Sequence, residues 1–240
     1  MTWFEEDRAL YERERVALAD HCPQLGPLKF YPHGVGNYRP FREHVAAARG
    51  YISIDPAWAD SPAYDVAVIC TPAYPWEMPK LLCLDPIFTC DADHHIFSDQ
   101  TACLCLQLEK RYWWPEGSTL IDFIDRLVLP FLNFQHCKRL GHDYPFGERL
   151  HGLDGIYQGL SEVVGLDKPA QLDRIIRLAL DPNSLDTRRM QCPCGSGKKL
   201  RHCHSSQVLQ AIQTVSRGGL IEDLQRCIEP KAEQLLRRIL

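Results

Sequence analysis

The sequence predicts an α+β fold in which an N-terminal helix is followed by an antiparallel sheet and a second long helix. Apolar pairs recur every seven residues after the capping-box pattern of Thr2 and Glu5, which is typical of an amphipathic helix that stops at Pro23. Stretches rich in β-branched and aromatic residues lie at 28–33, 51–55 and 64–71 and predict successive strands. A capping pattern at Thr119 then opens a helix with a broad apolar face, which Pro130 is expected to kink or end.

The remaining chain predicts a helical extension and a compact Cys/Gly/Lys segment with a helical tail. Apolar residues at helical spacing predict two helices, near 156–164 and 170–180, and Pro169 opens the second. The regular pattern lapses from Pro86 to about Glu109, a stretch rich in Cys, His and Asp. Long ordered loops of this kind usually carry function. The expected domains are residues 1–150, 151–186 and 187–240.

The composition of the sequence restricts the classes of molecule that the protein is expected to bind and the cell compartment in which it is expected to act. The 240 residues carry a formal net charge of −4, so no nucleic-acid partner is expected. No secretory signal opens the chain, and no apolar run approaches the roughly 20 residues that cross a bilayer. Eleven cysteines, an odd number in a chain that lacks such a signal, indicate reduced thiols in the cytoplasm.

The segment CPCGSGKKLRHCH has the composition and spacing of a metal site. Cys192 and Cys194 are separated by one residue, and after eight more residues Cys203 and His204 stand side by side. Four such ligands suit a closed tetrahedral zinc site. The segment resembles the SEC-C motif, named for the zinc-binding tail of a bacterial translocation motor, and this implies one structural zinc ion per chain.

Basic residues surround this predicted site. Between Thr187 and Ile221 the sequence has six basic and no acidic residues. A patch of this kind is compatible with a solvated face around the metal and with a surface that binds an acidic partner. A zinc-dependent adaptor acting through this patch is therefore an alternative function.

Several short motifs follow one another after the predicted third strand. The turn YPWEMPK begins at Tyr74, the triplet Asp-His-His spans 93–95, and seven residues separate it from the pair Cys103-Leu104. Trp114-Pro115 and Leu120 come next. Together with the order of elements, these motifs resemble the ubiquitin-conjugating family over roughly residues 1–135. Divergent bacterial members of anti-phage and ubiquitin-like conjugation operons are the nearest likeness.

The resemblance implies a ubiquitin-conjugating-like fold with Cys103 as a catalytic nucleophile. This thiol would accept the C-terminal acyl group of a ubiquitin-like protein from its activating enzyme and pass it to a lysine amine of a target protein. His95 stands where the family has an asparagine associated with stabilising the oxyanion. Because imidazole can also donate a hydrogen bond, His95 is the second catalytic candidate, although it can equally serve only to hold the loop.

Other interpretations of this loop remain open. Cys105 is the nucleophile if the alignment is shifted by two residues. Alternatively, Cys90, His94 or His95, Cys103 and Cys105 form a second zinc site, which would make the domain an inactive scaffold. A domain of the same fold that binds ubiquitin-like partners without chemistry is a further possibility.

Overall fold

The structure, a computed structural model, describes residues 2–55, 61–143, 147, 149–150, 152–181, 183, 186 and 188–225. The chain divides into two compact units, residues 1–104 with 116–146 and residues 105–115 with 147–240. The predicted mixture of helices with an antiparallel sheet is confirmed. No helix of the described residues is both long and apolar enough for a bilayer. The domain boundaries expected from the sequence remain predictions.

The first unit begins with two helices, α1 (Trp3–Glu6) and α2 (Arg8–His21), where the sequence predicts one. The capping box at Thr2 is present, since its backbone N–H donates to the Glu5 carboxylate at 2.8 Å. The helix breaks at Asp7 because this residue takes a non-helical conformation, with φ −122° and ψ 79°, and caps α2. Its carboxylate accepts a hydrogen bond from the backbone N–H of Leu10 at 2.8 Å.

The four-stranded antiparallel sheet has the strand order β1-β2-β3-β4. Its strands are β1 (Lys29–Pro32), β2 (His44–Ser53), β3 (Ala63–Cys70) and β4 (Lys80–Cys83). Side chains of alternate residues point to opposite faces. On one face, Ala67 and Ile69 of β3 pack in a buried cluster with Val35 and Tyr38 from the β1–β2 connection. Val66 and Val68 alternate with these residues and are buried as well, so the sheet is covered on both sides.

The long helical segment after Thr119 is continuous through Pro130, so the prediction that the helix ends there is wrong, and a kink at this residue stays a prediction. It consists of α4 (Leu120–Phe123), a π-helical turn (Ile124–Val128) and α5 (Leu129–Arg139). A proline ring clashes with the carbonyl group four residues earlier in an α-helix and supplies no N–H. The wider π-helical turn ends at Val128, two residues before Pro130, and includes that carbonyl, which gives the ring space without ending the helix.

The second unit is helical in its described residues. It contains α3 (Lys110–Trp113), α6 (Gly152–Val164), α7 (Pro169–Leu180) and α8 (Ser205–Thr214), and residues 217–225 are also helical. The apolar positions predicted for α7 are buried, and they share one core cluster with Ile156, Leu160 and Leu200. The part of the predicted helical tail beyond residue 225 lies outside the described residues.

Candidate functional site

The four predicted zinc ligands are brought together by a short antiparallel pairing of the chain. Gln191 pairs with Lys199, and the backbone N–H of Cys192 donates to the Lys198 carbonyl at 2.8 Å. The turn between the paired segments contains Gly195 and Gly197, whose φ values of 79° and 73° favour glycine. A 3-10 turn over Leu200–His202 then directs Cys203 and His204 back toward the first two cysteines.

The geometry of this cluster fits a zinc ion. The four ligand atoms lie within 4.8 Å of one another. Nδ1 of His204 is 3.3 Å from Sγ of Cys192 and 3.1 Å from Sγ of Cys203, and the Sγ atoms of Cys194 and Cys203 are 3.6 Å apart. Tetrahedral coordination with Zn–S distances of about 2.3 Å places ligand atoms about 3.5–3.8 Å apart. Small adjustments of the side chains therefore suffice to close the site on the metal.

Ser196 supports the thiolate form of Cys194. Its hydroxyl and backbone N–H groups both donate hydrogen bonds to Cys194, and they lower the pKa of that thiol to about 6. The hydroxyl oxygen is also 3.4 Å from Sγ of Cys203. Burial, in contrast, raises the pKa of Cys192. A bound zinc ion holds its cysteine ligands as thiolates, and therefore offsets the cost of ionising this buried thiol.

The metal cluster is part of the core of the second unit. Cys192 and Leu200 are buried in the same apolar cluster as residues of α6, α7 and α8, and Cys194 and Cys203 pack against it. From α7, the side-chain amide of Gln171 donates a hydrogen bond to the carbonyl of Cys194 at 2.7 Å. The ligand loop is therefore held by apolar packing against helices of this unit and by a hydrogen bond from α7.

The other predicted site residues, His95 and Cys103, lie in the first unit at the ends of a small hairpin. Ile96 bridges Ala102, and Thr101 bridges Leu82 of β4, so that the hairpin extends the sheet. Directly after it, the backbone N–H of Cys103 donates to the carbonyl of His95 at 2.7 Å. The structure thus places the two residues side by side through their backbones.

Helix α5 holds the loop that carries His95. The side-chain amide of the buried Gln135 donates to the carbonyl of His94, and the Lys138 ammonium group donates to the carbonyl of Asp93. The rings of His95 and Phe134 make an edge contact at 5.6 Å. His95 itself takes a left-handed conformation with φ 52°, which these contacts help to stabilise. Sequence reasoning missed Gln135 because an amide within a helix has no motif of its own.

The cysteines of this region differ in exposure. Cys103 is half-buried and Cys90 is exposed, both in the first unit, whereas Cys105 belongs to the second unit and is only 7% exposed. Within the described ranges, the structure gathers one group of three or more Cys, His, Asp or Glu ligands, and that group is the cluster at 192–204. The alternative set around Cys90 and Cys103 is not such a group.

A comparison with family models agrees with the metal cluster. Residues 191–206 match the model of the SEC-C motif. A search of curated proteins finds no match to this chain. The SEC-C motif is a zinc-binding motif, and its residues coincide with the four converging ligands. The predicted cofactor is therefore confirmed: Cys192, Cys194, Cys203 and His204 form a site suited to one zinc ion.

Proposed function

We propose that the protein is a ubiquitin-like protein conjugating enzyme that carries an acyl group as a thioester on Cys103. The hydrogen bond from the Cys103 N–H to the His95 carbonyl carries this proposal, because it joins the two residues that the resemblance selects. The order of an N-terminal helical pair, a four-stranded antiparallel sheet, an irregular segment and a long helix supports it as well. We further propose a role in bacterial anti-phage defence, and the cytoplasm as the compartment where the thiol stays reduced.

The proposed reaction has two steps. The Cys103 thiolate attacks the thioester carbonyl that an activating enzyme presents, and the sulfur of the activating enzyme leaves as a thiolate. A neutral lysine amine of the target then attacks the new thioester. Cys103 leaves as a thiolate, and the nitrogen loses its proton to solvent as the amide forms. In each step the carbonyl oxygen becomes negatively charged, and a hydrogen bond from His95 would stabilise it.

The exposure of the thiols favours Cys103 over Cys105 as the nucleophile. A side chain that is 7% exposed, as that of Cys105 is, cannot meet a protein-bound thioester without a rearrangement. Cys103 is half-buried, so its thiol needs a smaller rearrangement to reach the thioester. Zinc has a structural part in this proposal, since it would stabilise the second unit as a docking surface for the target or the activating enzyme.

The decisive experiment is intact mass spectrometry after incubation with an activating enzyme, its ubiquitin-like protein and ATP. We expect an adduct that a thiol reductant removes, that is absent in Cys103→Ala and that persists in the exposed control Cys90→Ala. Cys103→Ser is expected to form an adduct that resists the reductant. An adduct that survives in Cys103→Ala and disappears in Cys105→Ala would show that the nucleophile is Cys105. Full biological function in Cys103→Ala would favour a binding module without chemistry.

A second candidate function is a zinc-dependent adaptor that acts through the basic residues of the metal loop. The observation in its favour is that Lys198, Lys199 and Arg201 are all exposed beside the ligand pairs. This candidate predicts binding to a nonspecific DNA duplex that weakens steeply with salt. Changing these three residues to Gln should then reduce both the affinity and the salt slope. A triple change of Lys168, Arg174 and Arg177, which removes the same charge from exposed positions on and next to α7, should have little effect.

A further inference from the structure

A cleft in the first unit lies between α5 and the segment that follows β4. Its volume is about 110 Å³, and one wall consists of Tyr64, Ile87 and Phe88. The rings of Tyr64 and Phe88 pack against each other with centroids 5.4 Å apart, which gives this wall a fixed apolar surface. The proposed conjugation reaction makes no use of the cleft.

The remaining lining of the cleft is polar and carries one formal charge. Thr89, His94, Gln135 and Arg139 line it, and none of the lining residues is a carboxylate. The nearest acidic partner of these residues is Asp91, whose carboxylate accepts from Nδ1 of His94 at 2.7 Å. A second carboxylate, that of Asp85, accepts from the backbone N–H of Ile87 at 3.1 Å. Among the lining residues themselves, Arg139 carries the one formal charge and is the group that can pair with an anion.

The contacts of Arg139 leave donors of its guanidinium group available. Arg139 is an exposed residue, and in the part of the chain that the structure describes its side chain contacts Nδ1 of His136 at 3.4 Å and forms no ion pair with a carboxylate. Nδ1 of His136 is also 2.8 Å from the Tyr64 hydroxyl oxygen, and a neutral ring with an unprotonated Nδ1 accepts a hydrogen bond from that hydroxyl group. Burial and the charge of Arg139 lower the pKa of His136 and keep it neutral.

We propose that this cleft binds a small monocarboxylate, with its oxygens on the Arg139 guanidinium and its alkyl group against Phe88 and Tyr64. A planar carboxylate matches two parallel N–H groups of a guanidinium group. A dianion such as phosphate is disfavoured, because Arg139 is the one formal cation of the lining and cannot balance two negative charges. The volume corresponds to about four water molecules of liquid, which suits a short-chain acid.

The test is a titration of the full-length protein with sodium propionate at constant ionic strength, followed by NMR chemical shifts. The neutral amide of propionic acid is the matched ligand control. We expect saturable shifts with propionate and none with the amide. Arg139→Gln should weaken propionate binding by about twofold to fivefold, since the ion pair that is lost involves an exposed guanidinium group. Arg126→Gln, which removes the same charge from the preceding π-helical turn, should leave binding unchanged.

Two further experiments complete the test. The first asks whether the bound carboxylate is that of a free acid or of a peptide C-terminus, and the second separates this proposal from the proposed function. The titration is repeated with N-acetylglycylglycine and with its C-terminal amide. If N-acetylglycylglycine binds more tightly than propionate, the ligand is a peptide C-terminus. Cys103→Ala is expected to bind propionate normally, so failure of the conjugation assay leaves this result intact. Equal responses to acid and amide, or equal losses in Arg139→Gln and Arg126→Gln, would overturn the assignment.

Discussion

Removing zinc is expected to unfold the second unit while the first unit stays folded. The ligands Cys192 and Cys203 belong to, or pack against, the apolar cluster that also contains residues of α6, α7 and α8. Structural zinc contributes about 10–16 kcal/mol in small zinc-binding peptides. Because whole domains are stable by only about 5–15 kcal/mol, loss of the metal should remove the cooperative folding of this unit.

The unfolding can be measured by far-ultraviolet circular dichroism with and without a strong zinc chelator. We expect a large loss of helical signal that excess zinc restores, and one zinc ion per chain by metal analysis. Cys192→Ser and Cys203→Ser should show the same loss without chelator. Cys90→Ser is the matched control, because this exposed cysteine lies in the first unit, and it should keep both zinc and signal. A stripped protein that retains the helices of the second unit would refute a structural role for the metal.

The zinc site is predictable from sequence because its determinants are local. The ligand types, their spacing and the glycines of the turn all lie within one short segment, and tetrahedral coordination leaves few other arrangements. The same holds for α7, where Pro169 and the apolar positions at helical spacing agree with each other. When the residues that begin a helix and the spacing of its apolar residues agree, the sequence predicts both the helix and the face that it buries.

The first half of β2 shows where local signals fail. Residues 45–48 read Val-Ala-Ala-Ala, and alanine is depleted in strands, so the pattern there favours a loop. In the structure these residues are fully buried; those up to Ala47 pair with β1 on one side, and those from Ala46 onward pair with β3 on the other. Small side chains fit there because both faces of the strand are covered. This reason depends on residues distant in sequence.

Residues 105–115 belong to the second unit, and no local sequence pattern predicts this assignment. Leu108 of this segment is buried in the cluster formed by α6, α7 and α8. Its backbone N–H donates to the buried carboxylate of Asp223 at 2.9 Å. The residues next to Leu108 and Asp223 in the sequence do not predict that the two contact each other. Only the contacts of the folded chain assign this segment to its unit.

Replacing Glu14 is expected to be the most damaging single change in the first unit. The Glu14 side chain lies on α2 and is buried. One carboxylate oxygen accepts a hydrogen bond from the Tyr74 hydroxyl at 2.7 Å, and the other accepts from the backbone N–H of Leu120 at 3.0 Å. Since Leu120 opens α4, this single side chain links α2, the turn at Tyr74 and the start of the long helical segment.

Glu14→Ala leaves both of these buried donors without their acceptor. Each unsatisfied group costs about 1–3 kcal/mol, so we expect a loss of about 3–5 kcal/mol in the free energy of unfolding. The matched control is Glu12→Ala on the same helix. Glu12 is 40% exposed and pairs with Arg8 and Arg15 at 3.1 and 2.8 Å, and such surface pairs contribute less than about 1 kcal/mol.

Hydrogen exchange of peptides from β3 and β4, analysed by mass spectrometry, separates a global loss of stability from local fraying. For Glu14→Ala we expect faster exchange throughout both strands, although neither contains residue 14. Glu14→Gln, which keeps the shape and one acceptor oxygen, should fall between Glu14→Ala and the original chain. If Glu14→Ala and Glu12→Ala exchange alike, the carboxylate does not hold these elements together and the packing of α2 alone must do so.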